Sequence, residues 1–153
     1  MGNVITYCEH SAGWLKNASL SALTAARQLA EHQGGQVVCL LVGKGADRAA
    51  AAAKTYAQKT IVVSDDRLEH YMAETYAPVV ARIVKAEAAS ALIASANGVG
   101  KDLLPRVAAL VDAAVASDIS AVTGKNQFVR PILAGAAMAT VELETPCMVV
   151  TAR

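Results

Sequence analysis

Residues 97–102 read Asn97-Gly98-Val99-Gly100-Lys101-Asp102, between an apolar run at 91–96 and a stretch of helical apolar spacing. Such a segment after a buried strand offers free backbone amides at a helix N-terminus, the geometry that holds anions. Gly98, Gly100, Lys101 and Asp102 are therefore candidates for contact with a phosphate or nucleotide. The same residues also fit a plain helix start, in which Asp102 favours the positive end of the helix dipole, or a subunit contact. The spacing matches neither G-x-G-x-x-G nor a loop ending in Gly-Lys-Ser/Thr. Gly43-Lys44-Gly45 follows another apolar run and reads as a simple turn. Arg130-Pro131 lies in an apolar stretch: Arg130 has the fork for a carboxylate or phosphate, while Pro131 also suits a strand edge or bulge.

No catalytic constellation emerges from the remaining polar residues. His10, His32 and His70 lack metal-ligand neighbours at useful spacing, and His32 ends a helical stretch. No serine sits in a nucleophile elbow, and no Cys-His arrangement stands out. Asp65-Asp66 reads as a solvated or capping pair. The expectation is a protein that performs no bond change and holds no metal.

The elements that must position these residues alternate. Strands are expected at 3–9, 37–42, 60–64 and 91–96, with helices at 19–32, 47–57 and 77–89 and a helical pattern over 98–112. In the first helix Leu20, Leu23, Ala26, Leu29 and Ala30 share a face, and Gly34-Gly35 ends it. Pro78 suits a first helical turn. Pro105 would remove a hydrogen bond from a helix starting at 98, so the start is placed near Leu103 and residues 97–102 become an irregular loop. After Val115 the rhythm changes to strands at 120–123, 128–133, 138–144 and 148–152. The fold class is α/β, a doubly wound and mostly parallel sheet of adenine-nucleotide-hydrolase type with a C-terminal antiparallel strand extension.

Composition narrows the function classes. The 153 residues suit one domain, and 54% are hydrophobic, enough for a core. A net charge of +1 leaves no electrostatic footprint for nucleic acid, and 4% aromatics give no base-stacking platform. No apolar run is long enough to span a membrane, so no membrane insertion is expected. Cys8, Cys39 and Cys147 are far apart in or beside apolar runs and read as buried, reduced thiols. Residues 1–13 show no targeting segment, which makes the cytoplasm the preferred location.

Three segments carry a resemblance. Gly100-Lys101-Asp102-Leu103-Leu104-Pro105-Arg106-Val107-Ala108-Ala109-Leu110, then Ser117-Asp118-Ile119, then Phe128-Val129-Arg130-Pro131-Ile132-Leu133-Ala134-Gly135 occur in order. In order and spacing they resemble the N-terminal domain of the electron transfer flavoprotein alpha subunit, with similar patterning from about residue 4 to 153. Lys101 stands where arginine is usual, Leu133 replaces the common tyrosine and Ala136 the common asparagine. The resemblance implies a nucleotide-binding-like α/β domain that docks to a beta subunit. It implies FAD held mainly by a separate C-terminal alpha domain that is absent from these 153 residues, and AMP, where present, in the partner. Pro105, Arg106, Arg130 and Pro131 then become interface candidates. In a eukaryote the resemblance would put the protein in the mitochondrial matrix. A stand-alone adenine-nucleotide-binding module of the universal-stress-protein type is the alternative. It expects a glycine-rich stretch ending in Gly-Ser or Gly-Thr, which residues 97–102 do not supply.

Overall fold

Continuous apolar runs become the central strands of one parallel sheet in the computed structural model, which describes residues 2–153. The chain opens with β1 (Asn3–Tyr7), a small hairpin of β2 (His10–Ser11) and β3 (Trp14–Leu15), and α1 (Ala18–Gln33). Then come β4 (Gln36–Val42), a 3-10 turn running into the short α2 (Ala50–Ala53), β5 (Lys59–Val63) and α3 (Ala73–Ala86). β6 (Ala91–Ser95) and α4 (Gly98–Val111) follow, and β7 (Ala114–Ile119) leads to β8 (Ala121–Val122), β9 (Gln127–Ile132), β10 (Ala137–Glu142) and β11 (Met148–Ala152).

The main sheet has the order β5-β4-β1-β6-β11-β7 with every pairing parallel. Alternation along each strand splits the core. Val4, Cys39, Ile93 and Val150 pack on the α1 side, while Ile5, Leu40, Leu92 and Val149 pack on the α3 and α4 side. Helices thus cover both faces, and the strands read as unbroken apolar runs because neither face meets water. β8, β9 and β10 form the expected antiparallel sheet.

Several boundaries differ from the sequence reading. β7 has no counterpart among the expected strands, and β11 belongs to the central sheet, inserted between β6 and β7, rather than to the antiparallel extension. All five residues of β11 are buried, whereas β10 alternates between half-buried and exposed. Those are the patterns of a two-sided and a one-sided strand. α3 starts at Ala73 because Ala73 and Tyr76 already face the core, which puts Pro78 inside the helix. α2 ends at Ala53, four residues before its expected end. The buried face of α1 uses Ser19 rather than Leu20. Ser19 is held there because its Oγ accepts the Glu9 N–H at 2.9 Å.

α4 begins at Gly98, not near Leu103, and residues 98–102 are helical rather than an irregular loop. Asn97 is the reason. Its backbone is extended and its Oδ1 accepts the Gly100 N–H at 2.9 Å, an N-cap that meets one of the helix's free donors. Pro105 consequently lies in the helix interior. It is exposed, as is Lys101, whose carbonyl loses the bond that the proline nitrogen cannot give. Gly100, Leu103, Leu104, Val107 and Ala108 form the buried stripe.

Candidate functional site

The crevice between β1 and β6 is the place where open α/β sheets bind ligands, because successive connections leave it toward opposite faces. This chain fills it with its own side chains. Asn97 Nδ2 donates to Glu9 Oε1, and Lys16 Nζ pairs with the other Glu9 oxygen at 3.1 Å. A carboxylate of the protein therefore already faces the positive end of α4.

The four residues proposed for an anion diverge. Gly98 is exposed with open space where a side chain would go. Gly100 is pressed against β6: a Cβ there would lie 1.9 Å from the Ser95 carbonyl oxygen. Lys101 Nζ pairs with Asp118 Oδ2 of β7 at 3.0 Å. Asp102 accepts from the Tyr71 hydroxyl at 2.9 Å. Loss of water around the ring, then the bond to that carboxylate, pushes the Tyr71 phenol up.

Beside the crevice lies a cleft of about 390 Å³ lined by residues such as Tyr7, His10, Lys44 and Tyr76. Its glycine-rich rim is a turn and not an amide cradle. The N–H groups of Gly43, Lys44 and Gly45 donate to Val63 O, Leu68 O and Ser64 Oγ at 3.0, 3.3 and 3.2 Å. Lys44 is taken up by Glu69 at 3.2 Å and Asp66 at 3.6 Å. Cys8 and Cys39 are buried as expected, but Cys147 is only half-buried.

The sequence motifs converge elsewhere, at Ser117-Asp118. β7 carries an extra residue there, so its register with β11 shifts between Val150 and Ala152. Asp118 takes the left-handed conformation (φ 57°), and its N–H donates to Thr151 Oγ1 at 2.8 Å. Its carboxylate gathers Lys101 from α4 at 3.0 Å and Arg153 at 3.6 Å. The adjacent Ser117 Oγ accepts from an Arg130 terminal nitrogen of β9 at 3.0 Å. One bulge thus ties the three motif segments together. Pro105 and Arg106 lie apart on the outer face of α4, where Arg106 meets Glu74 of α3 at 3.0 Å. Pro131 stands opposite Met138 in the β9–β10 ladder. The sequence reading missed Asn97 as a cap and Arg153 as a partner of Asp118. An asparagine directly before a glycine-opened helix was a legible signal for the first. A long-range ion pair leaves no signal in one chain.

Lys101, with help from Arg153, holds the Asp118 carboxyl below its ordinary value of 3.8. A carboxylate with a depressed folded-state pKa adds stability in full above that value and loses it as pH falls through the lower one. Asp118→Asn, which tolerates the same backbone, is expected to cost about 1 kcal/mol at neutral pH, given partial solvent screening. Urea titrations across pH check this: the gap from wild type should stay constant above about pH 5 and close below about pH 4. A gap that widens in acid contradicts the assignment.

The sequence model of the family described as "Electron transfer flavoprotein domain" matches residues 4–153. The chain is 35% identical to "Electron transfer flavoprotein subunit alpha, mitochondrial" of Oryza sativa subsp. indica, covering 95% of this chain and 42% of that protein. It is 34% identical to "Probable electron transfer flavoprotein subunit alpha, mitochondrial" of Schizosaccharomyces pombe, covering 99% and 44%. For "Electron transfer flavoprotein subunit alpha" of Pseudomonas aeruginosa the identity is 36%, covering 98% and 47%. The chain therefore spans less than half the length of these curated relatives.

Proposed function

This chain belongs to the electron transfer flavoprotein family, and on that footing we propose that it is the N-terminal, assembly domain of an alpha subunit. Residues 1–153 form one such domain. It docks on a beta subunit and positions a flavin domain, within an electron carrier that itself performs no bond change. In a bacterium this places the protein in the cytoplasm, and in a eukaryote in the mitochondrial matrix.

The cofactors belong outside this chain's own residues. A phosphate at the N-terminus of α4 would meet the Glu9 carboxylate, which already contacts the Asn97 cap. That arrangement fits neither the pyrophosphate of FAD nor the phosphate of AMP. FAD is assigned to the flavin domain of the assembled complex, and AMP, where a complex carries it, to the beta subunit.

The observation that carries the docking role is the β9–β10 hairpin. Buried Phe128 anchors its base, while Ile132, Leu133 and Met138 are 40%, 76% and 56% exposed at its tip. Apolar side chains held out on an anchored hairpin mark an interaction surface. Arg130 and Pro131 belong to the same hairpin.

Coexpression with the beta subunit of the same source tests the reading. The wild-type chain should bind with micromolar or tighter affinity. The double variant Leu133→Ser/Met138→Ser should bind about tenfold or more weakly, with an unchanged melting temperature. A wild-type chain that ignores the beta subunit overturns the assembly role. A double variant that binds normally moves the docking surface off the hairpin.

A further inference from the structure

Arg130, Ile132, Leu133 and Arg153 line a groove of about 510 Å³ between the hairpin turn and the end of β11. Among the described residues no acidic side chain lines it. Among the described residues the neighbouring Asp118 takes two cations, and Lys101 holds it more closely than Arg153 does. Arg130 spends one terminal nitrogen on the neutral Ser117 hydroxyl. Its Nε is sealed from water and has no hydrogen-bond partner among the described residues. Lys101 and Arg153 thus share the Asp118 carboxylate, while Arg130 meets only the Ser117 hydroxyl. The Arg130 guanidinium therefore has no carboxylate among the described residues, and it lines a groove with room for one.

The groove's other wall selects among anions. Ile132 and Leu133 are exposed and apolar beside the two arginines. That combination suits a carboxylate on an aliphatic stem better than a phosphate, which carries no apolar stem to bury. A nucleic-acid backbone would need a basic stripe, and this chain has a net charge of only +1.

We infer that the groove is the receptor for a carboxylate-bearing, apolar segment of the beta subunit, gripped by Arg130 and Arg153 with its stem on Ile132 and Leu133. The inference deepens the assembly reading and rests on it for the identity of the partner. The arginine fork matters here because a planar guanidinium meets a carboxylate through two parallel bonds, which a lysine cannot do.

Hexanoate, a carboxylate on an aliphatic stem, is the first probe. In nitrogen-labelled protein the Arg130 Nε–H resonance should shift saturably with millimolar hexanoate. Acetate and inorganic phosphate should bind more weakly, and Arg153→Gln should weaken hexanoate about threefold or more. With the beta subunit, Arg130→Lys should reduce affinity about tenfold. Added salt should weaken the wild-type complex more than that of Arg153→Gln, which lacks one of the two charges. No hexanoate shift overturns the groove as a carboxylate site, whatever the fate of the assembly reading. A tighter response to phosphate than to hexanoate overturns the aliphatic stem. Hexanoate binding with normal beta-subunit affinity in both Arg130→Lys and Arg153→Gln overturns the partner assignment while docking itself stands. Hexanoate binding without any wild-type association overturns the assembly reading, and the partner with it.

Discussion

Gly100→Ala is expected to cost about 3 kcal/mol or to prevent folding, whereas Gly98→Ala, two residues away, should range from neutral to about 1 kcal/mol stabilising. An alanine Cβ at 100 would lie 1.9 Å from the Ser95 carbonyl oxygen and 3.5 Å from the Ala94 Cβ. The oxygen is backbone at the end of a central strand, so it cannot swing aside. Relief requires α4 to lift off β6, which opens the packing of Leu103, Leu104 and Val107, all fully buried. At Gly98 nothing lies within 4 Å of the place a methyl group would take, and alanine only reduces the freedom of the unfolded chain. Urea denaturation of the two variants separates steric necessity from ligand binding. If both variants unfold with the wild type, α4 does not approach β6 this closely.

Phe128→Ala should be the most damaging change in the antiparallel sheet, at about 3–5 kcal/mol. Phe128 is the single phenylalanine of the chain and is fully buried. It stands opposite Val122 on β8 and Val141 on β10, and it packs in the core that α1 covers. The effect should be local first. The turn between β8 and β9 carries exposed Lys125, so trypsin should cut after it before the parallel sheet opens, while the Arg130–Pro131 bond resists trypsin. Limited proteolysis with mass mapping, beside a thermal melt, measures both effects. Wild-type stability in Phe128→Ala, or first cleavage elsewhere, would show that the hairpin is held by something other than this ring.

Much of the site was legible only as a set of separate segments. The motif around Gly100 and the one around Arg130 were visible, and so was Ser117-Asp118 between them. Their convergence was not. Lys101 reaches Asp118 and Arg130 reaches Ser117 only because β11 is inserted beside β7 and shifts its register. The anion-site reading of residues 98–102 was reasonable for a helix N-terminus. No local pattern shows Glu9, a residue some ninety positions away that the crevice brings to the Asn97 cap. The helix starts at Gly98 and not near Leu103 for a local reason: the Asn97 cap offsets the hydrogen bond that Pro105 removes.

By itself the sequence determined the alternation of strands and helices, the two-sided burial of the central runs and the family resemblance. Hydrophobic periodicity and motif order are local properties that one chain displays directly. Tertiary structure decided the strand order, the place of β11, the role of Gly100 as a close-packing glycine and the gathering of cations at Asp118 and Arg130. Each of these depends on which segments become neighbours. That choice is made by burying surfaces distant in sequence against one another, and no local pattern encodes it.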